Sequence, residues 1–157
     1  MQFRDFVTQE RIIDNLSATT KAEVITEMAD LLFSQGAVNP DLREGILTAL
    51  FHREELQSTA IGQGLSLAIP HAKHPGVRGL IGVLGRSREG VDYDSPDGEP
   101  VHLFFLLLSN REYADRHLEA LAYISRKCRN AEFRNCLIKA VNRDQIADFL
   151  EDADNED

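Results

Sequence analysis

The spacing of apolar residues along the chain alternates between helical and extended periods. Apolar side chains recur every three to four positions over 21–35, and Thr20 with Glu23 supplies a capping box, which predicts a first helix there. A second helix is predicted over 40–56, where Pro40 takes the first turn. Further helices are predicted after residue 108, at 131–140 and at 143–150, the first from one apolar face of Leu118, Leu121, Ile124 and Cys128.

Extended patterns fall between the predicted helices. Strands are predicted at 65–69, 80–87 and 101–108, and turn-forming residues fill 89–100, where Val91 and Tyr93 have the alternation of a short edge strand. The sequence therefore predicts one α/β domain with a mixed parallel and antiparallel sheet over 1–150. Residues 151–157 include five acids, and we expect a solvated, flexible acidic tail there.

Charge and hydropathy exclude two classes of partner. The 157-residue chain is 43% apolar and has a net charge of −9, the wrong sign for binding a nucleic acid backbone. The longest apolar run, 103–108, is too short to span a membrane. The first residues lack a secretion signal, and Cys128 and Cys136 do not make a disulfide framework, so we expect a cytoplasmic protein. These two cysteines are either buried small residues or a redox pair.

Two histidines occupy informative positions. His71 follows an apolar strand that stops at Pro70, which places the imidazole just beyond the carboxyl end of the strand, where α/β folds bind ligands. His117 lies four residues before Leu121 on a predicted helix and is expected to face inward. For each histidine alone, a hydrogen-bonded structural role remains an alternative.

Arg53 shares the predicted buried face of the second helix with Ile46 and Leu50. A buried guanidinium needs a carboxylate or phosphate partner, and an ion pair with Glu55 or Asp94 is the alternative to phosphate.

A metal or nucleotide site is not favoured. His71, His74 and His117 are three imidazoles, but no cysteine is near them and Lys73 is a poor neighbour for a cation, so we predict no metal. The glycines at 62 and 64 lack the third glycine of a dinucleotide fingerprint and the lysine of a P-loop, and no cofactor is predicted.

Three segments together resemble a known family. They are the run from Arg53 to Gly62, the Leu-Ala-Ile-Pro-His-Ala segment at 67–72, and His117-Leu118 at the start of a helix. The chain is similar to the type-2 enzyme IIA domain of the bacterial phosphoenolpyruvate-dependent phosphotransferase system, the fructose–mannitol and nitrogen-regulatory class. This resemblance implies a mixed sheet with helices on both faces.

The resemblance also implies roles for individual residues. His71 would accept a phosphoryl group from the phosphocarrier protein HPr, with His117 as the second active-site histidine and Arg53 and the Thr59 hydroxyl as ligands of the phosphoryl oxygens. The group would then pass to a IIB protein, or the phosphorylation state would act as a nitrogen-regulatory signal. The absence of a fused IIB, IIC or HPr segment favours regulation.

Two other functions remain open at this point: a binding module of the same fold that is not phosphorylated, and a metal-dependent hydrolase. The sequence also departs from the family spacing, because Leu65 and Ser66 are two extra residues between the glycine pair and the strand before His71. Since side chains alternate with a period of two, this insertion is expected to preserve the faces of the strand.

Overall fold

A mixed sheet lies at the centre of the computed structural model, which describes residues 1–156. Within those residues the sheet has five strands: β1 (Ile12–Ile13), β2 (Leu67–Ala68), β3 (His71–Lys73), β4 (Leu80–Val91) and β5 (Val101–Ser109). The order is β1-β4-β5-β2, with β3 also on β5. Only β4 and β5 pair antiparallel, while β1, β2 and β3 pair parallel. The predicted mixed sheet is confirmed.

The two short strands before and after Pro70 lie along the same edge of β5. β2 pairs with Leu103 and Phe104, and β3 pairs with residues 107–109. The strand predicted over 65–69 is present but shorter, and His71, which was expected just beyond the strand, instead begins β3. Pro70 lacks an N–H, but its carbonyl accepts a hydrogen bond from the Leu107 N–H at 3.0 Å. The chain therefore keeps its contact with β5 and resumes strand pairing at His71.

Five α-helices cover the two faces of the sheet within the described residues. They are α1 (Lys21–Ser34), α2 (Arg43–Leu56), α3 (Ala114–Cys128), α4 (Ala131–Lys139) and α5 (Arg143–Asn155). Alternate side chains of β5 divide between two cores: Phe104, Leu106 and Leu108 pack with α1 and α2, whereas the side chains at 103, 105 and 107 pack with α3, α4 and α5. The expectation of helices on both faces is confirmed.

Local signals set the helix starts close to their predicted positions. The Thr20 hydroxyl accepts from the Glu23 N–H at 3.2 Å, which caps α1, and the chain turns at Gly36 with φ of +70°. The second helix differs from its predicted range, because residues Pro40–Leu42 form a 3-10 turn before α2 begins.

β4 is longer than predicted. It extends to Val91, which pairs with Val101 after an irregular register beyond Arg86. Val91 therefore belongs to β4 rather than to a separate edge strand, and Tyr93 is a buried residue outside the sheet.

The acidic segment at 151–157 is helical as far as Asn155, so the prediction of a flexible tail is wrong for that part, while the final residue lies outside the described chain. Asp154 is 1% exposed. Its carboxylate accepts from the Phe3 N–H at 2.7 Å and from the Tyr123 hydroxyl at 2.6 Å. These donors replace water, which allows a charged residue to be buried at the end of α5.

None of the described helices has the combination of length and apolar composition that a membrane span requires.

Candidate active site

His71 begins β3 and is half-buried. One of its ring nitrogens, Nδ1, lies 2.6 Å from the Ile69 carbonyl oxygen. A carbonyl can only accept, so Nδ1 carries the hydrogen and donates it. The other ring nitrogen, Nε2, then has a free lone pair. Pro70 fixes the backbone between the two partners of this bond, which holds the ring in place.

His117 lies in the first turn of α3 and is 1% exposed, which confirms that it faces inward. Its Nδ1 is 2.6 Å from the Ser109 hydroxyl oxygen. Its Nε2 is buried and has no hydrogen-bond partner among the described residues. Unpaired buried polar atoms are rare, and at a candidate active site they point to a missing partner.

The fold brings the two histidines together. β3 pairs with the last residues of β5, and the chain that leaves β5 at Ser109 turns back into α3. The ring centroids of His71 and His117 are 5.4 Å apart, with an angle of 65° between their planes. The two imidazoles that the sequence singles out therefore form one site at the edge of the sheet.

The surroundings keep both rings neutral near pH 7. Burial lowers the pKa of His71, and the positive charges of Arg53 and Lys73 add to this effect, whereas the Ile69 hydrogen bond and Glu54 oppose it. Burial, with smaller contributions from His71 and Lys73, lowers the pKa of His117 to about 4. Because both pKa values lie below the ordinary value of 6.5, the Nε2 lone pair of His71 is available at neutral pH.

Arg53 is less buried than the sequence predicts. It lies near the end of α2, is half-exposed, and donates through Nη1 to the Gln57 carbonyl at 2.7 Å. Among the described residues it forms no ion pair with Glu55 or Asp94. Its charge acts on His71, and its remaining N–H groups are free to bind an anion beside that ring.

Glu54 occupies the buried position on α2 that the sequence assigns to Arg53. Its carboxylate accepts from the Thr59 N–H at 3.0 Å, from the Thr59 hydroxyl, and from the Tyr93 hydroxyl at 3.1 Å, and it pairs with Lys21 at 3.3 Å. Burial, followed by the charge of Glu54, raises the pKa of Tyr93, so the tyrosine stays protonated and donates. Glu54 follows Leu50 by four positions and Arg53 follows it by three, so helical spacing places both at the border of the buried face.

The structure does not support a direct phosphate contact for Thr59. A hydroxyl has one hydrogen, and Thr59 donates it to Glu54. Thr59 is also 5% exposed, and its N–H is bound to the same carboxylate. Thr59 therefore stabilises the buried Glu54 carboxylate next to the site.

Comparison with known proteins identifies the family of the chain. The family model described as "Phosphoenolpyruvate-dependent sugar phosphotransferase system, EIIA 2" matches residues 5–153. The chain belongs to this EIIA type-2 family. It is 36% identical over 154 residues to the fructose-specific EIIABC component of Bacillus subtilis, a match that covers 98% of this chain and 24% of that protein. It is 34% identical to the nitrogen regulatory protein of Bradyrhizobium diazoefficiens, covering 84% of this chain and 83% of that one.

A solved structure is also similar. The nitrogen regulatory protein IIA-Ntr from Neisseria meningitidis superposes with a TM-score of 0.82 at 31% identity, covering 93% of this chain and 97% of the other. EIIA proteins are components of phosphotransferase systems, so the chain is a phosphoryl carrier or a nitrogen-regulatory EIIA.

Leu65 and Ser66 follow a tight loop. Gly62 and Gly64 both have φ of +75°, and a side chain at Gly62 would come within 3.3 Å of Pro96. Leu65 packs in the same core as Leu67 and Ile69, which is the alternation expected of an extended segment. The glycine pair therefore turns the chain sharply before the strand.

The remaining candidates in this EIIA domain do not join the histidine pair. The Nδ1 of His74 accepts from the Gly76 N–H at 3.0 Å. No group of three or more metal-ligating side chains is present within residues 1–156. Cys128 and Cys136 are free, and burial raises the pKa of the Cys128 thiol to about 12, which is typical of an inert packed residue.

Proposed function

We propose that this EIIA domain accepts a phosphoryl group on Nε2 of His71 and passes it to a further protein. The observation that carries the proposal is the pairing of two histidines whose ring centroids are 5.4 Å apart. His71 is neutral and its Nε2 is free, and His117 is buried with an Nε2 that has no hydrogen-bond partner among the described residues. A neutral imidazole nitrogen is a good nucleophile near pH 7 and forms a labile P–N bond.

In the proposed transfer, the Nε2 lone pair of His71 attacks the phosphorus of a phosphohistidine on the donor. The new P–N bond forms as the P–N bond of the donor breaks, and the donor nitrogen keeps that electron pair. The ring of His71 gains positive charge when Nε2 bonds phosphorus, and its Nδ1–H shares this charge with the Ile69 carbonyl. This hydrogen bond therefore strengthens as the phosphohistidine forms.

Arg53 and His117 bind the phosphoryl oxygens in this proposal. Arg53 supplies positive charge and spare N–H groups at the half-exposed rim. His117 lies on the buried side, where an oxygen of the phosphoryl group supplies the partner that its Nε2 lacks. Arg53 neutralises part of the charge of the group, and His117 binds it by a hydrogen bond.

We further propose that the donor is HPr and that the acceptor is a IIB protein or a regulatory target. The relatives bear both fructose-transport and nitrogen-regulatory names, which supports either acceptor. We also propose a cytoplasmic location, which is supported by the two free thiols.

The central test is incubation with phosphoenolpyruvate, enzyme I and HPr, followed by intact mass spectrometry. We expect the gain of one acid-labile phosphate, which is lost in His71→Ala. His102→Ala is a matched control, because the Nδ1 of His102 also contacts a carbonyl, that of Ser87 at 2.9 Å. The absence of any phosphate on the wild-type protein with an active donor would refute the proposal.

The role of Arg53 is tested in the same assay. Arg53→Ala should slow phosphorylation by roughly tenfold or more while the fold is retained, because one charged contact to the phosphoryl group is lost. Arg43→Ala, at the start of α2, removes an exposed arginine that pairs with Asp30 and should leave the rate unchanged. Equal rates for Arg53→Ala and the wild type would remove the assigned role.

A further inference from the structure

Ser109 is the polar residue that contacts the second histidine of the site. It is the last residue of β5, is fully buried, and lies 2.6 Å from Nδ1 of His117. Its backbone is fixed on both sides, because it pairs with Lys73 of β3 and with Leu80 of β4. The hydroxyl is therefore presented to the imidazole by two neighbouring strands.

We propose that Ser109 is a positioning residue that selects the tautomer of His117: its hydroxyl donates to Nδ1, so that Nε2 carries the hydrogen and donates it to the phosphoryl group. The functional part of this inference rests on the proposed transfer to His71. The tautomer itself is a property of the unphosphorylated protein.

The count of hydrogens in this buried pair supports this direction. Among the described residues, the Ser109 hydroxyl has no hydrogen-bond partner other than His117. If Nδ1 carried the hydrogen, the serine hydrogen would have no acceptor, and a buried unsatisfied donor is costly. If the hydroxyl donates to Nδ1, the serine hydrogen is satisfied, and the Nε2–H is the single hydrogen of the pair that is left for a ligand.

The charges around the ring favour the same state. Burial, His71 and Lys73 all lower the pKa of His117, which disfavours the imidazolium that would force Nδ1 to donate to Ser109. No carboxylate is hydrogen-bonded to either nitrogen of this ring among the described residues. The charges therefore select the neutral ring, and the contact with Ser109 selects the tautomer with hydrogen on Nε2.

This choice makes the two histidines chemically different. His71 carries its hydrogen on Nδ1 and presents a lone pair at Nε2. His117, held by Ser109, presents an N–H at Nε2 instead. One ring is then the nucleophile and the other is the donor that binds the transferred group, whereas the opposite tautomer of His117 would direct a lone pair at an anionic phosphoryl oxygen and repel it.

The first experiment reads the tautomer directly by 15N NMR of the unphosphorylated, histidine-labelled protein. We expect His117 to have hydrogen on Nε2 in the wild type and a mixture of tautomers in Ser109→Ala. Hydrogen on Nδ1 in the wild type, or an unchanged tautomer in Ser109→Ala, would overturn the proposal. Because this measurement needs no phosphoryl donor, it remains informative even if the proposed transfer fails.

The second experiment measures phosphorylation by HPr. Ser109→Ala should slow transfer about tenfold, as expected for the loss of one well-placed donor, and Ser109→Thr should recover part of the rate because it keeps the hydroxyl. Ser87→Ala is a matched control: Ser87 is also buried in a strand, and its hydroxyl oxygen accepts from the Gly90 N–H. An unchanged transfer rate in Ser109→Ala would contradict the functional part of the inference.

Discussion

The burial of His117 makes the stability of the fold depend on pH. Its pKa is lowered from 6.5 to about 4, chiefly by burial. The folded protein therefore binds this proton less readily than the unfolded chain does. The contribution to stability is complete above pH 6.5 and is lost progressively as the pH falls towards 4.

The size of this loss follows from the two pKa values. At about 1.4 kcal/mol for each pKa unit, the difference between 6.5 and about 4 sets a ceiling of about 3 kcal/mol, reached below pH 4. At pH 5, which lies between the two pKa values, about 2 kcal/mol of this ceiling is lost, and solvent screening from the side of the half-exposed His71 sets the expected loss at about 1 to 2 kcal/mol.

Urea unfolding at pH 8 and pH 5 tests this calculation. Between these pH values, the free energy of unfolding should fall by about 1 to 2 kcal/mol more in the wild type than in His117→Gln, because the variant lacks the titrating ring. Leu118→Gln, a change at the next residue, which is 62% exposed, should lose as much as the wild type. Carboxylates contribute to all three proteins and cancel in the comparison. An equal loss in the wild type and His117→Gln would refute the reasoning.

Three further results are expected. Glu54→Ala should lower the free energy of unfolding by about 3 to 5 kcal/mol, since several buried donors lose their acceptor, and a loss below 1 kcal/mol in urea unfolding would contradict this. Asp154→Ala should cost about 3 kcal/mol for the same reason, and Asp152→Ala, on the exposed face of α5, should be nearly neutral. At pH 8, a thiol reagent should label Cys136 well before Cys128, as measured by mass spectrometry. Equal labelling rates would contradict the burial of the Cys128 thiol.

Elements whose determinants are local were predicted well. The cap of α1 depends on Thr20 and Glu23, which are three residues apart, and the apolar face of the helix lies within the same fourteen residues. β3 is not predicted because its partner residues on β5 lie 36 positions later in the chain, from His71 to Leu107. Pro70 correctly indicates a lost donor, but the proline carbonyl still accepts from β5, and only the tertiary pairing shows this.

The acidic end of the chain was misread for a similar reason. Composition alone predicts that Asp154 is solvated, yet its donors are the backbone at Phe3 and the hydroxyl of Tyr123. These groups lie 151 and 31 positions away in the sequence. When the hydrogen-bond donors to a buried carboxylate lie so far away in the sequence, the residues around the carboxylate do not indicate that it is buried.

The inward position of His117 follows from helical spacing and is confirmed. The role of His71 stays a prediction, which rests on its place next to Pro70 and on the family resemblance. Arg53 and Glu54 are neighbours on α2. The sequence analysis places Arg53 on the buried face, but the structure buries Glu54 and leaves Arg53 half-exposed. Helical spacing resolves a face only to about one residue, so a charged pair at its border cannot be assigned from the sequence.

The contact between Phe3 and Asp154 also joins the two ends of the domain. Their 2.7 Å hydrogen bond means that the chain leaves the fold almost where it entered. A linker of a few residues would therefore close the chain into a circle, and a permuted protein opened at an exposed turn should fold. A domain whose ends are adjacent can also be inserted within a longer polypeptide, because the two flanking segments then stay close together.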